Sequence, residues 1–364
     1  MKLNKLFYHI QEKEDRIPTF FDDIDKLTGG LLVGGITTIA GRPAMGKTAF
    51  AMSVVRNVGV MNKIPTAVLS LTDDERYTAK RLIASQLGWD AVKYLEQHPI
   101  KQTDRADHVV SNDGGEKSQE QNQIKLTDVQ KEKIALLQEI GFETLKPQVG
   151  TPAYQNPEVD NSELDSTPAW LLFTWNKFLE KAKSAPVWIE HGLDMDMDEI
   201  VSRMERLKRE NGIRLIVIDS FGWIAPENTL TASETAMQKL VHTAEKLKVA
   251  VFMTCDLTRS VENRGGTKKP MLSDLRDNAL IEKYSSLVMF LYRPEYYSIF
   301  EDDLGSTLNM ADVIIARNRR GDIGEVRLRF ENRAGFVSRP PVSVLFPYSN
   351  DGTTFTPMMN DDMF

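Results

Sequence analysis

Gly41-Arg42-Pro43-Ala44-Met45-Gly46-Lys47-Thr48 fits the spacing G-x-x-x-x-G-K-[ST] at every fixed position. The run before it, Gly35-Ile36-Thr37-Thr38-Ile39-Ala40, is apolar and β-branched and predicts a buried strand. The run after it, Ala49-Phe50-Ala51-Met52-Ser53-Val54-Val55, predicts the first turns of a helix. A strand, a glycine-bounded turn and a helix N-terminus in succession turn backbone N–H groups and the positive end of a helix dipole toward an anion. Gly41 and Gly46 let the backbone bend tightly and approach phosphates closely. Lys47 is then the candidate for the β- and γ-phosphates of ATP, Thr48 for Mg²⁺, and Arg42, Pro43, Ala44, Met45 and Ala49 for the rest of the cradle. A chance match in an ordinary turn is the alternative, and the flanking strand and helix weigh against it.

Working outward, Leu215-Ile216-Val217-Ile218-Asp219 is an apolar strand that ends on a carboxylate. Alone, a strand-terminal Asp is most often a turn or cap residue. Beside a phosphate loop it is the candidate second ligand of the Mg²⁺ shell. Further apolar runs at 66–71, 187–190, 249–254, 285–291 and 311–316 alternate with helical patterns at 74–87, 196–210 and 233–247, the last with Ser233 as its cap. Strands without polar alternation, separated by helices, predict an α/β fold: a mostly parallel twisted sheet covered on both faces. Glu325-Val326-Arg327-Leu328-Arg329-Phe330 does alternate, and predicts an edge or hairpin strand.

The chain has 364 residues, 41% of them hydrophobic, so it can bury a large core. The formal net charge of −7 excludes a polybasic nucleic-acid binder and leaves only local basic patches for that purpose. One cysteine, Cys255, excludes a disulfide framework and suits a reducing compartment. No leader-like segment and no apolar run of membrane-spanning length is present, which leads to the expectation of a cytoplasmic protein with no membrane partner.

Two basic clusters stand out. Arg259, Arg264, Lys268, Lys269 and Arg276 follow the 249–254 strand; Arg317, Arg319 and Arg320 follow the 311–316 strand, with Arg327, Arg329 and Arg333 close behind. A solvated surface is the ordinary reading of such runs. Here they are also candidates to track a nucleic-acid backbone or to reach a neighbouring subunit's phosphate. The runs Phe21-Asp22-Asp23-Ile24-Asp25-Lys26-Leu27-Thr28-Gly29-Gly30-Leu31, Ile39 to Ala49, Leu215 to Asp219, Pro270-Met271-Leu272-Ser273-Asp274-Leu275-Arg276, Leu291-Tyr292-Arg293-Pro294-Glu295 and Arg317-Asn318-Arg319-Arg320-Gly321 together resemble the RecA-like motor domain of DnaB-type replicative helicases. The resemblance covers about residues 16–92 and 186–337, in order. It implies a RecA-like P-loop ATPase fold and a hexameric ring that uses ATP and Mg²⁺ to travel along single-stranded DNA. It also implies primase, a helicase loader or a polymerase as partners. By the same resemblance Arg319 is the arginine finger supplied in trans and Arg317 its companion. Arg276, Asp277 and Ala279 belong to the channel loop that grips DNA, with Arg264 nearby.

Departures from the family pattern sharpen the expectation. The family's glutamate after Ser-Leu is Thr72, which cannot accept a proton at neutral pH; Asp73, Asp74 and Glu75 are the candidate substitutes after a small shift. The family's glutamine sensor is Asp256, a negative charge beside a γ-phosphate that needs an offsetting cation. The expected organisation is a lead-in over 1–16, an ATPase domain over 17–338 carrying an insertion at about 99–167, and a C-terminal tail over 339–364 whose last residues, 359–364, are acidic and end in Phe. The family's N-terminal helical domain is expected to be absent. Two functions compete: a DNA helicase motor, and a helicase relative that binds nucleotide and DNA with impaired hydrolysis. A RecA-like recombinase shares the core, but the 274–276 and 292–295 runs argue against it.

Overall fold

The computed structural model describes residues 14–89, 92–93, 178, 180–193, 195–221, 230–258, 260–264, 268–275, 278–331 and 334–338. Residues 1–13 of the expected lead-in, all of the expected insertion at 99–167, and the tail lie outside them. The described strands are β1 (Arg16–Ile17), β2 (Leu31–Leu32), β3 (Ile36–Gly41), β4 (Thr66–Ser70), β5 (Val187–His191), β6 (Leu215–Asp219), β7 (Ala250–Asp256), β8 (Leu287–Tyr292), β9 (Glu301–Asp302), β10 (Gly305–Ser306), β11 (Met310–Asn318), β12 (Gly324–Glu331) and β13 (Gly335–Ser338). The helices are α1 (Asp22–Thr28), α2 (Lys47–Val55), α3 (Glu75–Leu87), α4 (Met197–Asn211), α5 (Leu230–Leu247), α6 (Ser260–Asn263) and α7 (Asn278–Tyr284). Among the described residues no helix is long and apolar enough to cross a membrane.

Nine strands form one sheet in the order β13-β12-β11-β8-β3-β7-β6-β4-β5. The six from β8 to β5 run parallel, with β3 near the middle. β11, β12 and β13 extend it antiparallel. The pleat explains why the parallel strands read as unbroken apolar runs. In β6, Leu215 and Val217 join one buried cluster while Ile216 and Ile218 join another. In β7, Ala250 and Phe252 go to the first, Val251, Met253 and Cys255 to the second. Both faces are therefore covered, and alternation has nothing polar to display. Helix α2, with Phe50, Met52 and Val54, packs in the first cluster; α4 and α5, with Ile200, Met204, Met237 and Leu240, pack in the second.

Local signals place most element ends. Asp74 and Asp196 accept from the backbone of Tyr77 and Glu199 and cap α3 and α4, and Gly29 closes α1 in the left-handed region. Ser233 does not cap α5. The helix starts at Leu230 and Ser233 is buried in its first turn, since a cap worth about 1 kcal/mol yields to packing of the apolar stripe. β12 forms a hairpin with β11 as expected, but β13 covers its other side, so it is not an edge. Helix α2 continues into a π-helical turn over Arg56–Met61. There Arg56 is buried and spends its guanidinium on the carbonyls of Ser85 and Phe336, tying α3 and β13 to α2. Burial lowers its pKa to about 10.

Candidate active site

The pleat that splits the core also gathers the polar residues. Ser70, Asp219, Thr254 and Asp256 share parity with the members of β4, β6 and β7 that face the α2 side. They stand at the carboxyl ends of those strands, where β3 turns into the phosphate loop. The loop is held from several directions. Met45 is buried in the first cluster, so its side chain anchors the turn rather than lining it. Arg42 reaches away, donating from Nε to Glu262 Oε1 at 2.9 Å and from a terminal nitrogen to the Leu257 carbonyl at 3.3 Å. Arg293 donates to the Ala44 carbonyl at 3.2 Å. Gly46 precedes α2 at φ +96°, and a Cβ there would stand 3.2 Å from the Phe336 ring. No side chain caps α2, so its first N–H groups face the turn.

Lys47 Nζ lies 2.9 Å from Asp256 Oδ1 and donates to the Arg42 carbonyl at 3.2 Å. The cation that offsets Asp256 is thus the loop's own lysine. Asp219 is buried and accepts from the hydroxyls of Thr254 and Thr48. Burial pushes its carboxyl above the ordinary range, against those two hydrogen bonds and the charges of Arg81 and Lys47. The neighbouring Ser220 hydroxyl is buried with no partner among the described residues. A buried carboxylate with the hydroxyls of Thr48 and Thr254 on it forms an all-oxygen donor set whose chemistry fits a hard divalent cation such as Mg²⁺. The N–H groups at the start of α2, with Lys47, fit a polyphosphate.

Thr72 is exposed at the end of β4. Asp73 is engaged: Arg81 Nε donates to its Oδ2 at 2.7 Å, and Ser70 Oγ donates to its carbonyl at 2.7 Å. Arg317 and Arg319 lie at the opposite end of the sheet's strands. β11 runs against β8, so Asn318 is level with Leu287, which is level with Thr37, four residues before Gly41. At ~3.3 Å per residue that is about 13 Å short of the loop's first glycine. Arg319 is exposed and donates to the Lys283 carbonyl at the end of α7. One terminal nitrogen of Arg317 is buried without a partner among the described residues.

Part of the charge of the basic clusters is already paired within the chain. Arg264 grips Asp274 with 3.1 and 2.9 Å bonds and donates to the Lys269 carbonyl, so its guanidinium is already engaged with residues 269 and 274. Lys268 donates to the carbonyls of Glu262 and Arg264, Lys269 pairs with Glu325 at 2.7 Å, and Arg327 is buried between Asp302 and Asp312. Arg276 and Asp277 lie outside the described residues; Ala279 is in the first turn of α7.

The chain matches the DnaB-like helicase C terminal domain over residues 16–140 and 155–337. It belongs to that family. Replicative DNA helicase DnaB of Pasteurella multocida is 28% identical over 323 residues, 87% of this chain and 54% of the relative. The Geobacillus stearothermophilus protein of the same name is 26% identical over 322 residues, 86% and 54%. The chain spans about half the length of these curated relatives. Among solved structures, a DnaB-like replicative helicase described with its interactions with primase superposes with a TM-score of 0.62 at 23% identity, covering 93% of this chain and 66% of that one. A second solved structure, of an isolated ATPase domain, gives 0.61 at 22%, covering 93% and 97%.

Four residues of this DnaB-like domain at the site escape a motif reading. Thr254 carries a signal, a hydroxyl in a buried apolar strand on the same face as Asp219. Arg81 is one of many helical cations, Glu262 is in the four-residue helix α6, and Phe336 is in a four-residue strand; nothing local marks them.

Proposed function

We propose that this chain is the motor domain of an ATP-driven DNA helicase that moves on single-stranded DNA as a homo-oligomeric ring, most simply a hexamer. The observation that carries the proposal is the separation of Lys47 and Arg319 to opposite ends of the strands of one sheet. A protomer's own Arg319 is set back from its own phosphate loop, so a complete site needs the loop of one copy and the arginine of another. Lys47 and the start of α2 would hold the phosphates, Thr48 and Asp219 the Mg²⁺, and Arg319 with Arg317 would meet the terminal phosphate in trans. At Thr48 and Asp219 a bound divalent metal would supply neutralisation of phosphate charge. Arg276, Asp277 and the start of α7 at Ala279 would face DNA, with Arg264 nearby and engaged with Asp274. Primase, named with a solved relative, is a candidate partner, as are a loader and a polymerase.

A second reading has specific support. Thr72 stands where a water-polarising carboxylate is needed, and Asp73 is committed to Arg81. A domain so built binds nucleotide and DNA but turns over slowly, acting in assembly or regulation. DNA-stimulated ATP hydrolysis by wild type, Lys47→Ala and Thr72→Glu separates the two. The motor reading expects wild-type turnover that Lys47→Ala abolishes. A silent wild type revived by Thr72→Glu supports the second.

A further inference from the structure

We infer that Asp256 sets the nucleotide selectivity of the site by competing with a terminal phosphate for Lys47; the inference rests on the nucleotide-binding reading above. Three observations carry it. Asp256 is in register with Gly41 on the adjacent strand, so its position is fixed by the sheet at the root of the loop. Its carboxylate contacts the Lys47 ammonium at 2.9 Å. The Lys47 side chain is 11% exposed whereas that of Asp256 is 49% exposed, so the lysine is covered and the carboxylate is the solvent-accessible member of the pair.

The lysine of such a loop serves the β- and γ-phosphates. In this chain it already has an anionic partner. Any polyphosphate must displace that partner, and on doing so leaves a carboxylate of its own sign beside the terminal group. The displacement opposes diphosphate and triphosphate alike. The like-charge repulsion falls mainly on the triphosphate, because Coulomb energy declines with distance and the extra phosphate is the nearer one. Asp256 therefore lowers affinity for the triphosphate more than for the diphosphate. A glutamine at this place would carry no such charge, and with Thr72 the substitution gives a site that holds triphosphate loosely and processes it slowly.

The test is fluorescence titration of wild type, Asp256→Asn, Asp256→Gln and Lys47→Ala with a fluorescent ADP and a fluorescent non-hydrolysable ATP analogue, both with Mg²⁺. Asp256→Asn keeps shape and removes charge; Asp256→Gln is the second variant should the first not fold, and thermal melts establish that each is native. The expected result is binding of the triphosphate analogue about tenfold tighter in Asp256→Asn, with the diphosphate tightened by no more than about threefold. An unchanged or weakened triphosphate affinity, or an equal gain for both nucleotides, overturns the inference and leaves the nucleotide site standing. No binding of either nucleotide by wild type and variants alike overturns both.

Discussion

Arg81 donates from Nε to Oδ2 of Asp73 at 2.7 Å, and the same guanidinium contributes favourably to the charge of Asp219 one strand away. Asp73 is therefore a structural partner at the end of β4 rather than a carboxylate poised over a substrate. Asp73→Asn is expected to change ATP turnover by less than about threefold. Thr72→Glu, which adds a carboxylate on an exposed position next to it, is expected to raise turnover by about a hundredfold, the lower end of the usual range for a positioned base. Steady-state phosphate release with saturating single-stranded DNA distinguishes the two.

The separation of Lys47 from Arg319 makes a prediction about mixtures. Lys47→Ala and Arg319→Ala should each be inactive alone. Mixed in equal amounts and allowed to exchange subunits, they should regain activity, because an Arg319→Ala protomer still offers an intact loop to a Lys47→Ala neighbour with an intact arginine. With random head-to-tail assembly about a quarter of the contacts pair two intact halves. Hydrolysis by the mixture that never exceeds that of its components would end the in-trans assignment.

Phe336 supports the loop from below. It is fully buried, stacks on Phe330 with centroids 4.6 Å apart, meets Phe50 edge-on at 5.5 Å, and lies under Gly46. Phe336→Ala should destabilise the domain by about 3–5 kcal/mol, as read by denaturant unfolding. Gly46→Ala faces both that ring and φ +96°, so it should lose nucleotide binding while the rest of the sheet stays folded by circular dichroism.

The β9–β10 hairpin is fastened by Arg327, which holds Asp302 through bonds of 2.8 and 2.6 Å while also meeting buried Asp312 at 2.6 Å. The Arg327 hydrogen bonds hold the Asp302 carboxyl down to about 2. A depressed carboxyl contributes stability that is fully present above its unfolded value near 4 and is lost as pH falls through its folded value. The difference in melting temperature between wild type and Asp302→Asn should therefore be constant from neutral pH to about 4 and close as pH falls toward about 2. A gap that persists at the acid end would show that the fastening is not ionic.

What could be read in advance follows the range of the forces involved. The strands β3, β4, β6, β7 and β8 are buried along their length because both faces are covered, and the Gly41–Thr48 spacing is itself a local geometry, so strand, loop and Asp219 were all legible. The short strand β13 was not: Gly335-Phe336-Val337-Ser338 has no period to detect, and it exists because β12 offers it a partner. The β9–β10 hairpin crosses an acidic run, Glu301-Asp302-Asp303, whose repulsion is relieved by an arginine far along the chain. The π-helical turn after α2 likewise has no local cause; Gly59 sits there because a Cβ would come within 2.5 Å of Val187. At the site, Lys47, Thr48 and Asp219 follow from spacing, whereas the pairs Lys47–Asp256, Arg81–Asp73 and Arg264–Asp274 depend on how separate elements meet. Arg264 in particular reads as an open cation and is already paired with Asp274.

The aromatic floor beneath Gly46 has a bearing on biosynthesis. Strand, turn and helix of the phosphate loop leave the ribosome early, but the ring they rest on arrives with residue 336. A nascent chain short of that residue carries the loop without the ring that packs beneath it.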